Sequence, residues 1–293
     1  MSLPDAAQEG GYAVASFEDA PAAATRSPSL TWTVFARAGI ASTVQRIQRG
    51  EGALLAINLS LIAAQGAGWK LAVAQALVSG LTIALMYAYN DFYDAPADWN
   101  NPKKDRALIS TYMEHRSRWL TAIFTLKFAT VGLALAMLGT APAAAVIGVM
   151  LVNLTYSHVL KGVPVLDVAW CGVWGTLYAA IVGAPLWMLL LVGLMTAICH
   201  LYQALDDRVP DAANGITTTA VRSPTLSRAV LVTLSALLFV VLREPLGAPW
   251  ACSAAAPLAL LFVGGSPATG WLLTKVYFGV VWLYLLGIAG AAG

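Results

Sequence analysis

Two short acidic segments carry the residues of this chain best suited to chemistry. Residues 89–98 read YNDFYDAPAD and residues 202–211 read YQALDDRVPD. Aligned without a gap, Tyr89 falls on Tyr202, Asn90 on Gln203, Asp94 on Asp207 and Asp98 on Asp211, an offset of 203 − 90 = 113 residues. Residues four apart share one face of a helix. Asn90, Asp94 and Asp98 therefore form one ladder, and Gln203, Asp207 and Asp211 a second. Carboxylates at that spacing repel one another, and more strongly where water is scarce. A bound cation relieves the repulsion. Mg2+ suits the donors, because it takes oxygen ligands, uses one or two carboxylates and keeps water or phosphate oxygens in its other positions. Four aspartates balance two such ions, and the two amides add oxygen donors without charge. Asp91 and Asp206 are extra carboxylates able to orient the ligands. Pro96 and Pro210 lie inside the segments. Proline disturbs the preceding turn, so the last Asp of each ladder is expected on a loop or at a new helix start.

Basic residues answer these acids. Lys103, Lys104 and Arg106 follow the first segment, Arg208 lies inside the second, and Lys161 follows Tyr156 by five positions. Cations beside a carboxylate–metal cluster point to a phosphate-bearing ligand, with Lys and Arg on its outer oxygens. Arg106 and Lys161 are the best placed, Arg116 and Arg118 the least. His115, His158 and His200 have no zinc-site spacing.

The elements that position these groups are apolar. Of 293 residues, 59% are hydrophobic and 11% charged, against about 25% charged in a soluble domain. The mean hydropathy is +0.71. Crossing a bilayer takes about 20 apolar helical residues. By that rule the sequence predicts an all-α, polytopic membrane protein of nine transmembrane helices, in two pseudo-repeated halves. The segments lie near 52–67, 71–89, 118–138, 141–157, 165–182, 184–204, 226–242, 249–264 and 270–288. Gly and Pro mark the seams, as at Gly139-Thr140-Ala141-Pro142 and Gly183-Ala184-Pro185.

In this arrangement 13 of the 17 Lys and Arg fall on one side, which the positive-inside rule places in the cytoplasm. Of the ten acids after Glu51, nine lie on that same side, and only Glu244 is opposite. Acids contribute little to topology, so their clustering marks the face that carries chemistry. Lys127 and Lys275 sit inside apolar segments. The net charge of +2 gives no reason to expect a nucleic-acid partner.

Residues 1–28 read as a disordered tail without signal-peptide character, and residues 29–50 as an interfacial segment, with Trp32, Phe35, Val44 and Ile47 among Arg37, Arg46 and Arg49. The membrane domain then occupies 51–293. Cys171, Cys199 and Cys252 fall in apolar segments and read as buried thiols. Asn58 and Asn153 begin glycosylation patterns, but inside predicted membrane helices.

Taken together, these motifs resemble the UbiA superfamily of intramembrane prenyltransferases. Its first signature is matched by Asn90-Asp91-Phe92-Tyr93-Asp94-Ala95-Pro96-Ala97-Asp98, and its second by Asp207-Arg208-Val209-Pro210-Asp211 with Gly215-Ile216-Thr217-Thr218-Thr219. Lys104-Asp105-Arg106-Ala107-Leu108-Ile109-Ser110-Thr111 and Tyr156-Ser157 followed by Lys161 match two further segments. Ala107 and Thr111 depart from the usual Pro and Gly of a loop that helps close the site in the family. The resemblance spans about residues 45–288.

The resemblance implies a cavity open to the cytoplasmic leaflet of a plasma (inner) membrane, with two Mg2+ held on a prenyl diphosphate. Asn90, Asp94, Asp98, Asp207 and Asp211 would bind the metal, joined by Gln203 at the matching position of the second ladder. Lys103, Arg106, Lys161 and Tyr156 would attend the diphosphate. The isoprenoid would lie along an aromatic interior, with Tyr89, Phe92, Tyr93, Tyr156, Trp170, Trp174, Tyr178 and Tyr202 as candidate lining. Ionising a prenyl diphosphate then leads either to transfer onto an acceptor, aromatic or lipid-like, or to cyclisation, as in the terpene cyclases of the superfamily. Diphosphate and acceptor are the expected partners, beside the bilayer. A transporter with an acidic vestibule would need polar groups at mid-depth and on both sides, and the far side is nearly bare.

Overall fold

The computed structural model describes residues 52–99, 106–263 and 265–291, together with residues 39, 40, 43, 44 and 46. The expected tail at 1–28 lies outside the described residues, and of the expected interfacial segment only those five are described, all helical.

The described chain is helical throughout. In order, α1 is Ala53–Ala64, α2 Trp69–Asp98, α3 Arg106–Glu114, α4 Arg116–Leu138 and α5 Thr140–Thr155, which runs on as a π-turn over Tyr156–Leu160. Next come α6 Leu166–Ala180, α7 Leu186–Asp206, α8 Arg208–Ala213, α9 Thr219–Arg222, α10 Pro224–Leu246 and α11 Ala248–Ala251. A 3-10 turn at Cys252–Ala255 then leads to α12 Ala256–Val263 and α13 Pro267–Ala291. Among the described residues, six helices are long and apolar enough to cross a membrane: α2, α4, α5 with its π-turn, α7, α10 and α13. The other three apolar segments form shorter pieces. α1 has 12 residues and α6 has 15, and the segment near 249–264 is divided by its 3-10 turn.

The boundaries follow local chemistry. Gly139 (φ +92°) ends α4, a conformation that costs glycine little. Ser223 caps α10, its Oγ accepting from the Thr225 and Leu226 amides, and Pro224 occupies the first turn, where no N–H is needed.

Small residues bring α6 and α7 together. A Cβ on Gly193 would meet Gly172 O at 2.9 Å and the Thr176 hydroxyl closer still. Such close backbone approach is how membrane helices gain packing without a hydrophobic drive. Polar ties join α1, α2 and α6: Asn58 Nδ2 donates to Tyr178 O at 3.0 Å and to Ser79 Oγ at 3.1 Å. Asn58 and Asn153 are both buried, in keeping with a structural role. Cys171 is buried and Cys199 half-buried, but Cys252, which opens the 3-10 turn, is exposed and not the buried thiol expected.

Candidate active site

The two ladders meet at one cavity of about 770 Å3, lined by Asn90, Asp94 and Asp98 from α2 and by Gln203, Asp207 and Asp211 from α7 and α8. The prolines act differently in the two. α2 runs unbroken through Pro96 to Asp98. That proline lies in the last turn and gives up the one bond its own amide would have made to Phe92 O without ending the helix before Asp98. α7 instead ends at Asp206, and Asp207 leaves helical geometry at φ −89°, ψ 5°. Pro210 then falls in the first turn of α8, and the Asp211 amide donates to Asp207 O at 2.9 Å. The expected break is found in the second ladder and not in the first.

Lys161 joins the ladders. Its Nζ lies 2.6 Å from Asp94 Oδ2. Burial alone would push this ammonium down. Asp94, with Asp211 and Asp98 behind it, holds it above its ordinary value instead. Burial pushes the Asp211 carboxyl up to about 7, with Lys161 pulling against this and Asp207, Asp94 and Asp167 adding to it. The π-turn sets the lysine's direction. The Lys161 amide donates to Tyr156 O at 2.9 Å, and this wider turn brings residues five apart back toward one side, so both line the cavity.

A buried knot holds the two loops that carry these groups. Asp167, at the start of α6 and 0% exposed, accepts from the Thr219 amide at 2.8 Å, from the Thr219 hydroxyl, and from the Val168 amide at 2.9 Å. Thr219 Oγ1 in turn accepts from the Val165 amide at 2.7 Å. Val165 sits at φ +73°, a region costly for a β-branched residue, and this bond helps to hold it there. The knot ties the 161–165 loop to the 215–219 loop. Sequence reasoning counted Asp167 only among the acids of that face. Its signal was a carboxylate opening an apolar helix.

Three helices converge on Asn90. Lys127 Nζ, from α4, donates to Asn153 Oδ1 at 3.0 Å. Asn153 Nδ2, from α5, donates to Asn90 Oδ1 at 3.4 Å, and Ser157 Oγ donates to the same oxygen at 3.0 Å. Lys127 also lies 4.3 Å from the Tyr89 ring centroid. Arg46 pairs with Asp91 and stands 4.4 Å over the Tyr87 ring, so Asp91 is turned to the N-terminal segment.

Tyr156, Trp170 and Trp174 line the cavity, as do Tyr87, Trp271, Phe278 and Trp282, which the sequence did not single out. Tyr89, Phe92, Tyr178 and Tyr202 are buried in packing instead. Lys275, with Nζ 3.6 Å from the Trp271 centroid, is also on the wall. Arg106 opens α3, is exposed and is not among the lining residues. Lys103 lies outside the described residues. Ala107 falls in the first turn of α3, where the Pro of the resembled pattern would also be tolerated, and Thr111 in its middle, where the Gly would be a poorer helix former.

A profile of the UbiA prenyltransferase family matches residues 53–279. The chain belongs to that family. Among solved structures, a UbiA homolog from Archaeoglobus fulgidus bound to GPP and Mg2+ is similar at 20% identity, with a TM-score of 0.59, covering 83% of this chain and 96% of that one. The same homolog bound to DMAPP and Mg2+ gives 20% identity and a TM-score of 0.60 over the same shares. With Cd2+ it gives 19% and 0.59, again over 83% and 96%. No curated protein matches the chain.

The UbiA site suits a hard divalent cation. Among the described residues no three Asp, Glu, His or Cys side chains form a ready-made cage. The cavity mouth presents carboxylate and amide oxygens, and Mg2+ needs only one or two carboxylates when phosphate and water complete its shell. Lys161 on Asp94 shows that this carboxylate already attracts a cation.

Proposed function

We propose that this chain is a Mg2+-dependent intramembrane prenyltransferase that ionises a prenyl diphosphate and transfers the prenyl group to an aromatic or lipid-like acceptor. The convergence of both acidic ladders and Lys161 on one cavity carries this reading. Family membership supports it, as do the GPP, DMAPP and Mg2+ bound by the archaeal homolog.

Asp94, Asp98, Asp207 and Asp211, with the Gln203 amide oxygen, would hold two Mg2+. Bound metal supplies charge neutralisation on the diphosphate as the C1–O bond breaks. Lys161 and Lys103 take the outer phosphate oxygens, and Tyr156 donates from the cavity wall. Both electrons of the C1–O bond leave with the diphosphate. Trp170, Trp174 and Trp271 offer aromatic faces to the allylic cation, and the apolar wall keeps water from capturing it. An acceptor carbon forms the new bond to C1. Its proton then passes to a basic oxygen at the mouth. Nine crossings, two related halves, one domain over 51–293 and a cytoplasmic mouth in the plasma membrane complete the proposal. Each of the nine apolar segments falls on helix, and α2 and the α7–α8 pair carry matching ladders.

The test is to give purified protein prenyl diphosphates of several lengths with Mg2+, with and without aromatic acceptors, and to identify products by mass spectrometry. Prenylated acceptor is the expected product. A cyclic hydrocarbon or alcohol formed without acceptor would assign cyclisation, and no diphosphate release would reject both.

A further inference from the structure

Building on the reading of this cavity as a prenyl diphosphate site, we propose that Asn90 binds the diphosphate through its amide N–H groups rather than the metal through its carbonyl oxygen. Lys127 and Asn153 are the positioning residues that hold it that way.

The argument is one of hydrogen-bond direction. An amide's two ends are interchangeable in shape, so its orientation is set by its partners. The lysine ammonium has three donors and no acceptor. Lys127 is 2% exposed, and its Nζ lies 3.0 Å from the Asn153 side chain. The Asn153 oxygen must therefore face the lysine. Its nitrogen then faces Asn90, which can answer only with its own oxygen. Ser157, one turn beyond Asn153, donates to that oxygen as well. Both lone pairs of Asn90 Oδ1 are then occupied, and the group left for the cavity is the NH2, a donor.

Charge points the same way. The Lys127 ammonium is held by the Tyr89 face at 4.3 Å and the Phe124 face at 5.7 Å, two hydrogen bonds behind Asn90. A positive charge there disfavours a metal ion at the Asn90 oxygen and favours an anion at its nitrogen. The two ladders thus differ in function at their matched amide positions. Gln203, in α7, is left as the amide able to offer an oxygen.

Two measurements on full-length protein in detergent separate the roles. One is the affinity for Mn2+ without diphosphate, read by paramagnetic resonance. The other is the affinity for inorganic diphosphate at saturating Mg2+, read by calorimetry. Asn153→Asp keeps a partner for Lys127 but loses the donor to Asn90. Asn90→Ala removes the proposed contact, and Lys127→Met frees both amides to turn. All three are expected to weaken diphosphate binding about tenfold, the size of one hydrogen bond to a charged group, with Mn2+ affinity within about twofold of wild type. A residue that only supports the fold would shift both affinities together. Loss of Mn2+ affinity in Asn90→Ala, or wild-type diphosphate binding in well-folded Asn153→Asp, would overturn the assignment. Wild-type protein that bound neither Mn2+ nor diphosphate would instead overturn the prenyl diphosphate reading itself.

Discussion

Lys161 Nζ lies 2.6 Å from Asp94 Oδ2, so the basic residue expected to meet a phosphate rests on a carboxylate expected to meet a metal. The lysine and the metal therefore compete for Asp94 until a diphosphate gives the lysine another partner. Lys161→Met should act in two directions. Divalent metal should bind about tenfold tighter without diphosphate, because a like charge has gone. Turnover should fall about a hundredfold, because a cation facing the leaving group has also gone. Metal titration and diphosphate-release assays on one preparation check both effects.

Asp94 and Asp207 come from different ladders and share the cavity. Asp94→Ala and Asp207→Ala should each abolish turnover together with metal-dependent diphosphate binding, and chelation of divalent ions should do the same to wild type. Unchanged activity in both variants would defeat the site assignment.

Asp211 is held up to about 7, first by burial, whereas an exposed aspartate titrates near 4. Between those values the folded chain keeps a proton that the unfolded chain has lost. Stability of the metal-free protein should therefore fall as pH rises from about 4 to about 7. Metal must displace that proton, so its affinity should climb about tenfold per pH unit below 7 and level off above it. Melting curves and metal titrations across pH test this, and Asp211→Asn should flatten the contribution to stability.

How much of this was legible depended on whether a residue's partners were near it in sequence. The ladders could be read because type and spacing repeat at Asn90, Asp94 and Asp98 and at Gln203, Asp207 and Asp211. Pro96 and Pro210 looked equivalent, yet one ends a helix smoothly and the other starts a new one. The difference lies before the proline: α2 is continuous up to Pro96, whereas the chain leaves helical geometry at Asp207, three residues before Pro210. Asp167 bonds across 52 residues to Thr219, and Lys127 across 26 to Asn153. Such lone polar residues in apolar helices signal that a partner exists without naming it. Arg46 and Asp91 are 45 residues apart, and the sequence offered one as part of an interfacial segment and the other as a carboxylate able to orient metal ligands, with nothing to pair them.

Asp167→Ala should reach the metal through the fold. It leaves the buried Thr219 amide without its acceptor, a cost of about 1–3 kcal/mol. It also frees the 161–165 loop from the 215–219 loop, so Lys161 and Asp211 lose their fixed relation. Metal affinity should fall several-fold although Asp167 is outside both ladders. Asp167→Asn retains one acceptor oxygen and should recover part of it. Melting curves paired with metal titration distinguish this from simple unfolding.

Gly193→Ala should disturb the site from the opposite direction. The added methyl would meet Gly172 O at 2.9 Å and the Thr176 hydroxyl closer still. The threonine could turn aside, but Gly172 O is backbone and no rotamer change relieves it, so α7 must move away from α6. Gln203 lies ten residues further along α7, and Asp207 at its end, so the second ladder moves while the first, on α2, stays. A lower melting temperature with turnover reduced about tenfold or more is expected, since a shift of about 1 Å at a reacting site can cost about a hundredfold. Gly132→Ala, on α4 and away from the cavity lining, meets nothing within 4 Å of the new Cβ and should leave both quantities near wild type, which separates helix displacement from the general cost of replacing glycine in a membrane helix.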